Sequence, residues 1–219
     1  MKHFFFVDGG ALAIENGLKA AFDWKVRRNF RKGYKQERGH QIMHLEWAFH
    51  GRSGYTMSLT NTDPRKTDYY PKFDWPRIPS PAIRFPLDAA EQARLDELEA
   101  ETLAIARRYF EERQDDIAAI IIEPIQSEGG DNHFRSSFLQ GLRRLADEFD
   151  ALLIFDEVQT GVGMTGKFWG YQHFGVEPDV IAFAKKMQVG GIMAGGKIDE
   201  EPDNVFRVPS RINSTWGAH

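Results

Sequence analysis

The chain of 219 residues contains no cysteine. This excludes a disulfide framework, a thiol nucleophile and a thiolate metal site, and it fits a reducing compartment. The seven histidines are scattered along the chain without the short, regular spacings of a zinc site. We therefore expect no bound metal.

Long apolar runs are lacking as well. No stretch approaches the roughly 18 apolar residues that a membrane-spanning helix needs. The opening segment, residues 1–7, is too short to be a signal peptide with its cleavage site. We expect a cytoplasmic protein that has no membrane partner.

The charge balance gives little support for a nucleic-acid partner. The net charge is −4, and the hydrophobic content of 42% with 13% aromatics is typical of a soluble globular protein. One segment, residues 25–38, holds seven basic residues against one acidic residue. We interpret this segment as a solvated loop face.

Two short apolar runs contain the strongest signal in the chain. Residues 151–155 and 180–184 have the length and the branched or aromatic content of buried strands, and they lead directly into Asp156 and Lys185. Ligands of open α/β sheets bind just beyond the carboxyl ends of parallel strands, so an acid and an amine placed there can reach one molecule. A lysine amine can bond to a carbonyl cofactor, and a carboxylate keeps a pyridine nitrogen protonated. Pyridoxal phosphate needs both groups.

The surrounding motifs are specific. Phe-Asp-Glu-Val-Gln-Thr-Gly at residues 155–161, Thr-Gly at 165–166 and Pro-Asp at 178–179 precede Lys185. With these motifs the chain resembles the class III (ornithine/GABA-type) aminotransferases, and the separation of 29 residues between Asp156 and Lys185 (185 − 156) matches that family. The resemblance implies pyridoxal 5′-phosphate as cofactor and these two residues as the catalytic pair.

A neighbouring lysine, Lys186, competes with Lys185 for this role. The family places its lysine after the strand and one small residue, which favours Lys185 and directs Lys186 elsewhere. The alternative that needs no chemistry is a pair of surface lysines after a core strand.

The start of the chain predicts a strand, a glycine turn and a helix. An apolar run at residues 3–7 is followed by Asp-Gly-Gly-Ala and then by apolar residues at helical spacing. Such a turn directs free backbone N–H groups at an anion. The resemblance implies that Gly10 and Ala11 bind the cofactor phosphate. It also implies cofactor contacts from Phe49, His50, Val158 and Gln159, and from Thr215 of a neighbouring subunit.

Substrate-binding residues follow from the same resemblance. Arg52 would bind a substrate carboxylate, and Glu128 would pair with an arginine of the C-terminal domain. Asn213 would lie near the substrate of the neighbouring subunit. Glu123 would stabilise the residues that contact the cofactor without contacting the cofactor itself. The assignments of Asn213 and Thr215 require a homodimer. The residues alone also allow a core role for Phe49, a surface role for Arg52 and plain loop roles for the two acids.

The remaining segments predict the scaffold. Residues 61–86 hold six of the ten prolines among many aromatics, so we expect an ordered excursion that packs over the domain or against a second subunit. We predict helices from Asp88 to about residue 113 and over residues 135–149, and strands over residues 42–47 and 117–122.

The alternation of strands and helices predicts an α/β fold. The resemblance implies the large domain of a fold-type I transferase, a mostly parallel sheet sandwiched between helices. Family chains are about twice as long, so we expect residues 1–219 to be an incomplete cofactor-binding domain that lacks the N-terminal segment and the C-terminal small domain.

Residues 185–195 and 203–217 are most similar to the lysine 6-aminotransferases within class III. The resemblance implies transfer of the ε-amine of L-lysine to 2-oxoglutarate, giving 2-aminoadipate 6-semialdehyde and glutamate. Three alternatives stay open: another ω-amino substrate such as ornithine, GABA or diaminobutyrate; a class III relative with different chemistry, such as amino-group migration; and a truncated chain that is inactive by itself.

Overall fold

The computed structural model describes residues 1–213, which contain three α-helices and nine β-strands. The helices are α1 (Gly10–Arg31), α2 (Ala89–Glu112) and α3 (Ser136–Glu148). The strands are β1 (His3–Val7), β2 (Gln41–Leu45), β3 (Arg77–Ile78), β4 (Ile117–Ile122), β5 (Ile125–Gln126), β6 (Asn132–His133), β7 (Leu152–Asp156), β8 (Val180–Phe183) and β9 (Gly190–Ala194).

Seven of these strands form one sheet in the order β1-β9-β8-β7-β4-β2-β3. The five strands from β8 to β3 are parallel to one another, and β9 alone is reversed, being antiparallel to both β8 and β1. Strands β5 and β6 form a separate small hairpin. The carboxyl ends of β2, β4, β7 and β8 therefore lie along one edge of the sheet.

Helices cover both faces of the sheet. Alternate residues of a strand point to opposite faces, and in β4 Ile121 packs on the side of α1 while Ile120 packs on the side of α2 and α3. Helix α1 contributes Leu18 and Trp24 to one core, and both are fully buried. The predicted sheet sandwiched between helices is confirmed.

The predicted helix ends agree closely with the structure. Asp88 caps α2 by accepting a hydrogen bond from the Glu91 N–H at 2.9 Å. Helix α3 lies within the predicted range of 135–149. Strand β2 ends at Leu45, short of the predicted residue 47, because Trp47 has a left-handed backbone (φ 61°) that no strand continues through.

The interpretation of residues 25–38 as a solvated loop is wrong for its first half, because residues 25–31 continue helix α1. Lys25 is fully buried, and its Nζ donates to Asp115 Oδ1 at 3.0 Å, to the Phe149 carbonyl at 3.3 Å and to the Asp150 carbonyl at 2.8 Å. Burial, followed by the charge of Lys32, lowers the pKa of Lys25. These acceptors lie in the turns before β4 and β7. The sequence pattern does not predict that these turns contact Lys25.

The proline-rich excursion contains a single-turn 3₁₀ helix, Pro64–Lys66, and the edge strand β3. The prediction that it forms neither an α-helix nor a central strand is confirmed. Trp75 is buried against the domain, whereas Tyr69, Tyr70 and Phe73 are exposed. Packing of these exposed rings against a second subunit stays a prediction.

Candidate functional site

A cavity of about 390 Å³ opens at the carboxyl edge of the sheet. It gathers residues from the ends of β2, β4, β7 and β8 and from the start of α1. Its lining comprises Gly9, Gly10, Ala11, Ile14, Phe49, His50, Gly51, Arg52, Glu123, Ile125, Asp156, Val158, Gln159, Ala184 and Lys185. Every cofactor residue expected from the sequence is in this set except Thr215, which lies outside the described residues. A larger cavity of about 870 Å³, around Tyr34 and Asp116, contains none of the expected site residues.

Asp156 is the last residue of β7 and is held by two donors. His50 Nδ1 lies 2.8 Å from Asp156 Oδ2, and the Val158 N–H donates to Oδ1 at 3.0 Å. Because a carboxylate only accepts, the Nδ1 of His50 carries the proton. The His50 side chain is fully buried, and among residues 1–213 its Nε2 has no hydrogen-bond partner. The carboxylate is thus fixed in position at the cavity wall.

Glu123 follows β4 and lies behind the same cavity. Its Oε2 accepts a hydrogen bond from the Phe49 N–H at 3.1 Å. Burial, and then the charge of Asp156, raise the pKa of Glu123 well above the ordinary value of 4.5. The buried Glu123 carboxyl group is therefore harder to ionise than an ordinary glutamate.

The first turn of α1 faces the cavity with its backbone N–H groups uncapped. Gly9 precedes the helix with φ 84°, and no side chain caps it and no acidic residue lies in the first turn. A β-carbon at Gly10 would lie 2.8 Å from a Val158 methyl carbon, so only glycine lets the turn approach the Asp156 loop this closely. This end of the helix attracts anions.

Lys185 and Lys186 lie in a short turn beyond β8, and they differ in direction. Lys185 lines the cavity, with one small residue, Ala184, between it and the strand. Lys186 Nζ donates instead to the Gln159 carbonyl at 2.9 Å. Lys185 has a left-handed backbone, with φ 43°, a conformation that non-glycine residues adopt at a strain cost.

The loop after Asp156 contains residues that line the cavity and one residue, Glu157, that is buried outside it. Val158 and Gln159 line the cavity. Glu157 is buried on the other side, where it accepts hydrogen bonds from the Gly170 N–H at 2.9 Å and the Tyr171 N–H at 2.7 Å. Glu157 therefore anchors the loop that contains Gly170 and Tyr171. The sequence pattern alone does not predict this structural role.

The expected substrate residues are dispersed. Arg52 lines the cavity, but Glu128 lies outside its lining and Asn213 is exposed away from it. Family resemblance gives Glu128 an arginine partner from another domain, whereas within residues 1–213 its carboxylate pairs with Lys66. Sequence reasoning missed Lys66, because no motif marks it in the excursion.

Two further findings concern residues 1–213 alone. None of their helices combines the length and the apolar character required of a membrane span. Their acids and histidines include no group of three suited to hold a metal ion.

Comparison with known proteins gives a consistent result. The family model Aminotransferase class-III matches residues 1–219. The L-lysine-epsilon aminotransferase of Mycobacterium tuberculosis is 60% identical over all 219 residues, and that of Amycolatopsis lactamdurans is 55% identical. The human mitochondrial 4-aminobutyrate aminotransferase is 35% identical over 229 aligned positions. The chain spans about half, 48%, of the length of the lysine-epsilon relatives.

Solved structures agree with this result. The lysine aminotransferase of M. tuberculosis superposes with a TM-score of 0.93 at 61% identity, covering 98% of this chain and 48% of that one. An omega-transaminase from Thermomicrobium roseum gives 0.83 at 27% identity and covers 99% of this chain. The sheet and both helical layers are therefore shared with these enzymes.

Proposed function

Because the chain belongs to the class-III aminotransferase family, we propose that it transfers the ε-amino group of L-lysine to a 2-oxo acid such as 2-oxoglutarate, with pyridoxal 5′-phosphate as cofactor. The observation that carries this proposal is the meeting of the Asp156 carboxyl group, the Lys185 side chain and the open end of α1 in one cavity.

The chemistry of the cavity fits the cofactor. Backbone N–H groups of Gly10 and Ala11 would bind its phosphate, and Asp156 would face its ring nitrogen. Phe49, His50, Val158 and Gln159 would surround the ring, with Thr215 of a neighbouring subunit at the phosphate. When bound, pyridoxal phosphate supplies an aldehyde that reacts with amines and a ring that accepts electrons from a bond broken at the amine-bearing carbon.

Each protein group then has a defined task. The Asp156 carboxyl group, held by His50 and the Val158 N–H, would keep the ring nitrogen of the cofactor protonated. Lys185 would hold the cofactor through Nζ and would later carry a proton away from the amine-bearing carbon of the substrate and return it. Glu123 supports the site by accepting a hydrogen bond from the Phe49 N–H, and burial raises the pKa of its carboxyl group.

Substrate choice is proposed from the relatives and from Arg52. A guanidinium can bind a carboxylate through two hydrogen bonds, which would place the far amine of L-lysine toward Lys185. The higher identity to relatives named for lysine than to those named for 4-aminobutyrate supports the lysine ε-amine. Glu128 would contribute charge at the cavity mouth.

We also propose a homodimer in which Asn213 lies near the substrate of the neighbouring subunit. Residues 1–219 would form a partial cofactor-binding domain, which is consistent with the 48% of the relatives that the chain spans. The cytoplasmic location expected from the sequence stays a prediction.

The test is covalent attachment. The chain is mixed with pyridoxal phosphate and reduced with borohydride, and the peptide that contains Lys185 is weighed by mass spectrometry. We expect the cofactor mass on Lys185, no mass in Lys185→Ala, and retained attachment in the matched control Lys186→Ala. Attachment at Lys186 or at neither lysine would contradict the proposed site.

Amine donors separate the substrate proposals. With 2-oxoglutarate as acceptor, L-lysine is expected to give glutamate faster than ornithine or 4-aminobutyrate does. A faster reaction with either of the latter would overturn the lysine assignment. Attachment at Lys185 without any glutamate would favour a chain that binds the cofactor but is inactive by itself.

A further inference from the structure

Glu15 is a buried side chain of α1 that lies outside the lining of the cofactor cavity. It belongs to the second turn of the helix and is 7% exposed. Its Oε1 accepts hydrogen bonds from Ser53 Oγ at 2.7 Å, from the Tyr55 N–H at 2.7 Å and from the Thr56 N–H at 3.2 Å. Three donors from one short turn thus compensate for the burial of this carboxylate.

The three donors belong to the turn that directly follows Arg52. The turn continues into a short 3₁₀ helix, Thr56–Ser58, and the Ser53 N–H donates to Thr56 Oγ1 at 2.9 Å. Because Ser53 is the next residue after Arg52, the contacts with Glu15 fix the backbone on the carboxyl side of Arg52.

The backbone on the amino side of Arg52 is fixed as well. Thr60 Oγ1 donates to the Gly51 carbonyl at 2.6 Å and accepts from the His50 N–H at 3.0 Å. Gly51 has a left-handed backbone (φ 114°), and a β-carbon there would lie 2.8 Å from the Ala11 β-carbon. The segment therefore packs directly on the first turn of α1.

The Arg52 side chain has few restraints of its own. It is exposed and lines the cavity, and among residues 1–213 it has one hydrogen-bond partner, the Lys66 carbonyl, to which its Nε donates at 3.1 Å. A guanidinium that meets a carboxylate through two parallel hydrogen bonds tolerates little displacement. The position of the guanidinium therefore depends on the backbone that carries it.

We propose that Glu15 is a positioning residue: by accepting three hydrogen bonds from residues 53–56, it holds Arg52 where the guanidinium binds the substrate carboxylate. This inference rests on the proposed function, because carboxylate binding by Arg52 is part of that proposal. Glu15 acts through Arg52 and touches neither substrate nor cofactor. Helix α1 would thereby place the phosphate end of the cofactor and the carboxylate of the substrate with two successive turns.

Two substitutions separate the hydrogen bonds of Glu15 from its charge. Glu15→Gln keeps an oxygen that can accept from the turn and removes the negative charge. Glu15→Met has a similar length but offers only a thioether, which is a weak acceptor. The turn should therefore stay in place in the first variant and shift in the second.

The measurement is calorimetric binding of glutarate, a dicarboxylate without a reactive carbonyl, to the full natural protein that contains residues 1–219, loaded with pyridoxal phosphate. A displacement of about 1 Å at a positioned group can cost up to about 100-fold. Since Arg52 keeps its anchors on the amino side, we expect about a tenfold rise in the dissociation constant for Glu15→Met. Glu15→Gln should stay within about twofold of the parent.

Arg52→Met tests whether Glu15 acts through Arg52. The double variant of Glu15→Met with Arg52→Met should bind glutarate as weakly as Arg52→Met alone, because the group that Glu15 positions is then absent. In transamination assays, the KM for L-lysine is expected to rise in Glu15→Met while kcat changes by less than about twofold.

Lys25→Met is the matched control for a general loss of stability. Lys25 is buried in the same helix but donates to Asp115 and to the Phe149 and Asp150 carbonyls. Its substitution weakens the fold without touching the turn after Arg52. We therefore expect the glutarate affinity of Lys25→Met to stay within about twofold of the parent.

Several results would overturn the inference. Unchanged glutarate affinity in Glu15→Met would remove the role of Glu15, and Glu15→Gln as weak as Glu15→Met would assign the effect to charge. Equal weakening in Lys25→Met would assign it to stability, and additive losses in the double variant would show that Glu15 does not act through Arg52. Cofactor attachment at Lys185 is measured on the same samples. Its absence in the parent would reject the proposed function, whereas the glutarate affinities judge the role of Glu15 independently.

Discussion

Two carboxyl groups that line the cavity, those of Asp156 and Glu123, receive different numbers of hydrogen bonds. Asp156 is held by His50 and by the Val158 N–H. Glu123 has one backbone donor, is buried and faces the charge of Asp156, so its pKa is raised. Burial and the neighbouring carboxylate thus disfavour ionisation of Glu123.

The raised pKa of Glu123 predicts a pH-dependent effect of Glu123→Gln. Because the folded pKa of Glu123 is raised, the folded state keeps a proton that the unfolded chain releases above its ordinary pKa of 4.5, so the parent loses stability as pH rises toward the folded value. Glutamine imitates the protonated acid and removes this loss. The unfolding free energy of the variant should gain on that of the parent by about 1.4 kcal/mol per pH unit in this window.

Urea unfolding at several pH values between weakly acidic and weakly basic measures the gain. Glu97→Gln, an exposed site on α2, is the control and should show no such trend. A difference between Glu123→Gln and the parent that is constant or shrinks with rising pH would contradict the raised pKa.

Among the individual site residues, the sequence predicts some positions and misses the long-range contacts between others, for a physical reason. Asp156 ends one strand and Lys185 follows another after a single residue, so local pattern locates both at the carboxyl ends of the strands. The contact between His50 and Asp156 joins residues 106 positions apart, and Lys66 reaches Glu128 across 62 positions. Such contacts depend on the path of the excursion, which proline and aromatic content alone does not define.

Among the elements, α1 links the cavity to the opposite end of the sheet. Its open first turn faces the site, and its last turns pair with acids: Arg28 binds Asp150 at 2.6 Å, and Lys25 binds Asp115 at 3.0 Å. Asp115 and Asp150 have left-handed backbones (φ 59° and 55°) in the turns before β4 and β7. The helix thereby fixes the turns that lead into two strands of the site.

Lys25→Met should destabilise the fold. The substitution removes the donor to the Phe149 and Asp150 carbonyls and leaves Asp115 with Lys32 as its ion-pair partner. Since Asp115 keeps one partner, we expect a loss of about 2–4 kcal/mol in the free energy of unfolding, at or below the range for a broken buried pair. Lys19→Met, on an exposed position of the same helix, should change it by less than about 0.5 kcal/mol.

Denaturant unfolding of both variants provides the comparison. Equal stability of Lys25→Met and the parent would mean that the buried ammonium contributes nothing. The apolar period at the start of α1 predicted the helix but not its length. Asp115 and Asp150, which pair with Lys25 and Arg28, lie 90 and 122 positions away from them along the chain.

For the molecule as a whole, exposed aromatics border the functional edge. A second cavity of about 570 Å³ shares Arg52 with the first and is lined by Tyr70, Phe73 and Lys72 among others. Tyr70 and Phe73 are 52% and 53% exposed, and exposed apolar patches often mark contact surfaces. The Phe73 N–H donates to Ser58 Oγ at 2.9 Å, so the segment is anchored while its rings face outward. This arrangement supports the proposed homodimer.

The double substitution Tyr70→Ser with Phe73→Ser should weaken that dimer. Buried aromatic rings dominate interface energies, so we expect the dimer dissociation constant from sedimentation velocity to rise more than about tenfold. Phe85→Ser is the control: Phe85 is an exposed ring at the other end of the segment, packed edge-on against His133. A monomeric parent at all concentrations would reject the dimer itself, and an unchanged constant in the double variant would remove these rings from the interface. Equal weakening of the dimer by Phe85→Ser would mean that the interface extends along the whole of residues 61–86 and is not limited to the end beside the cavity.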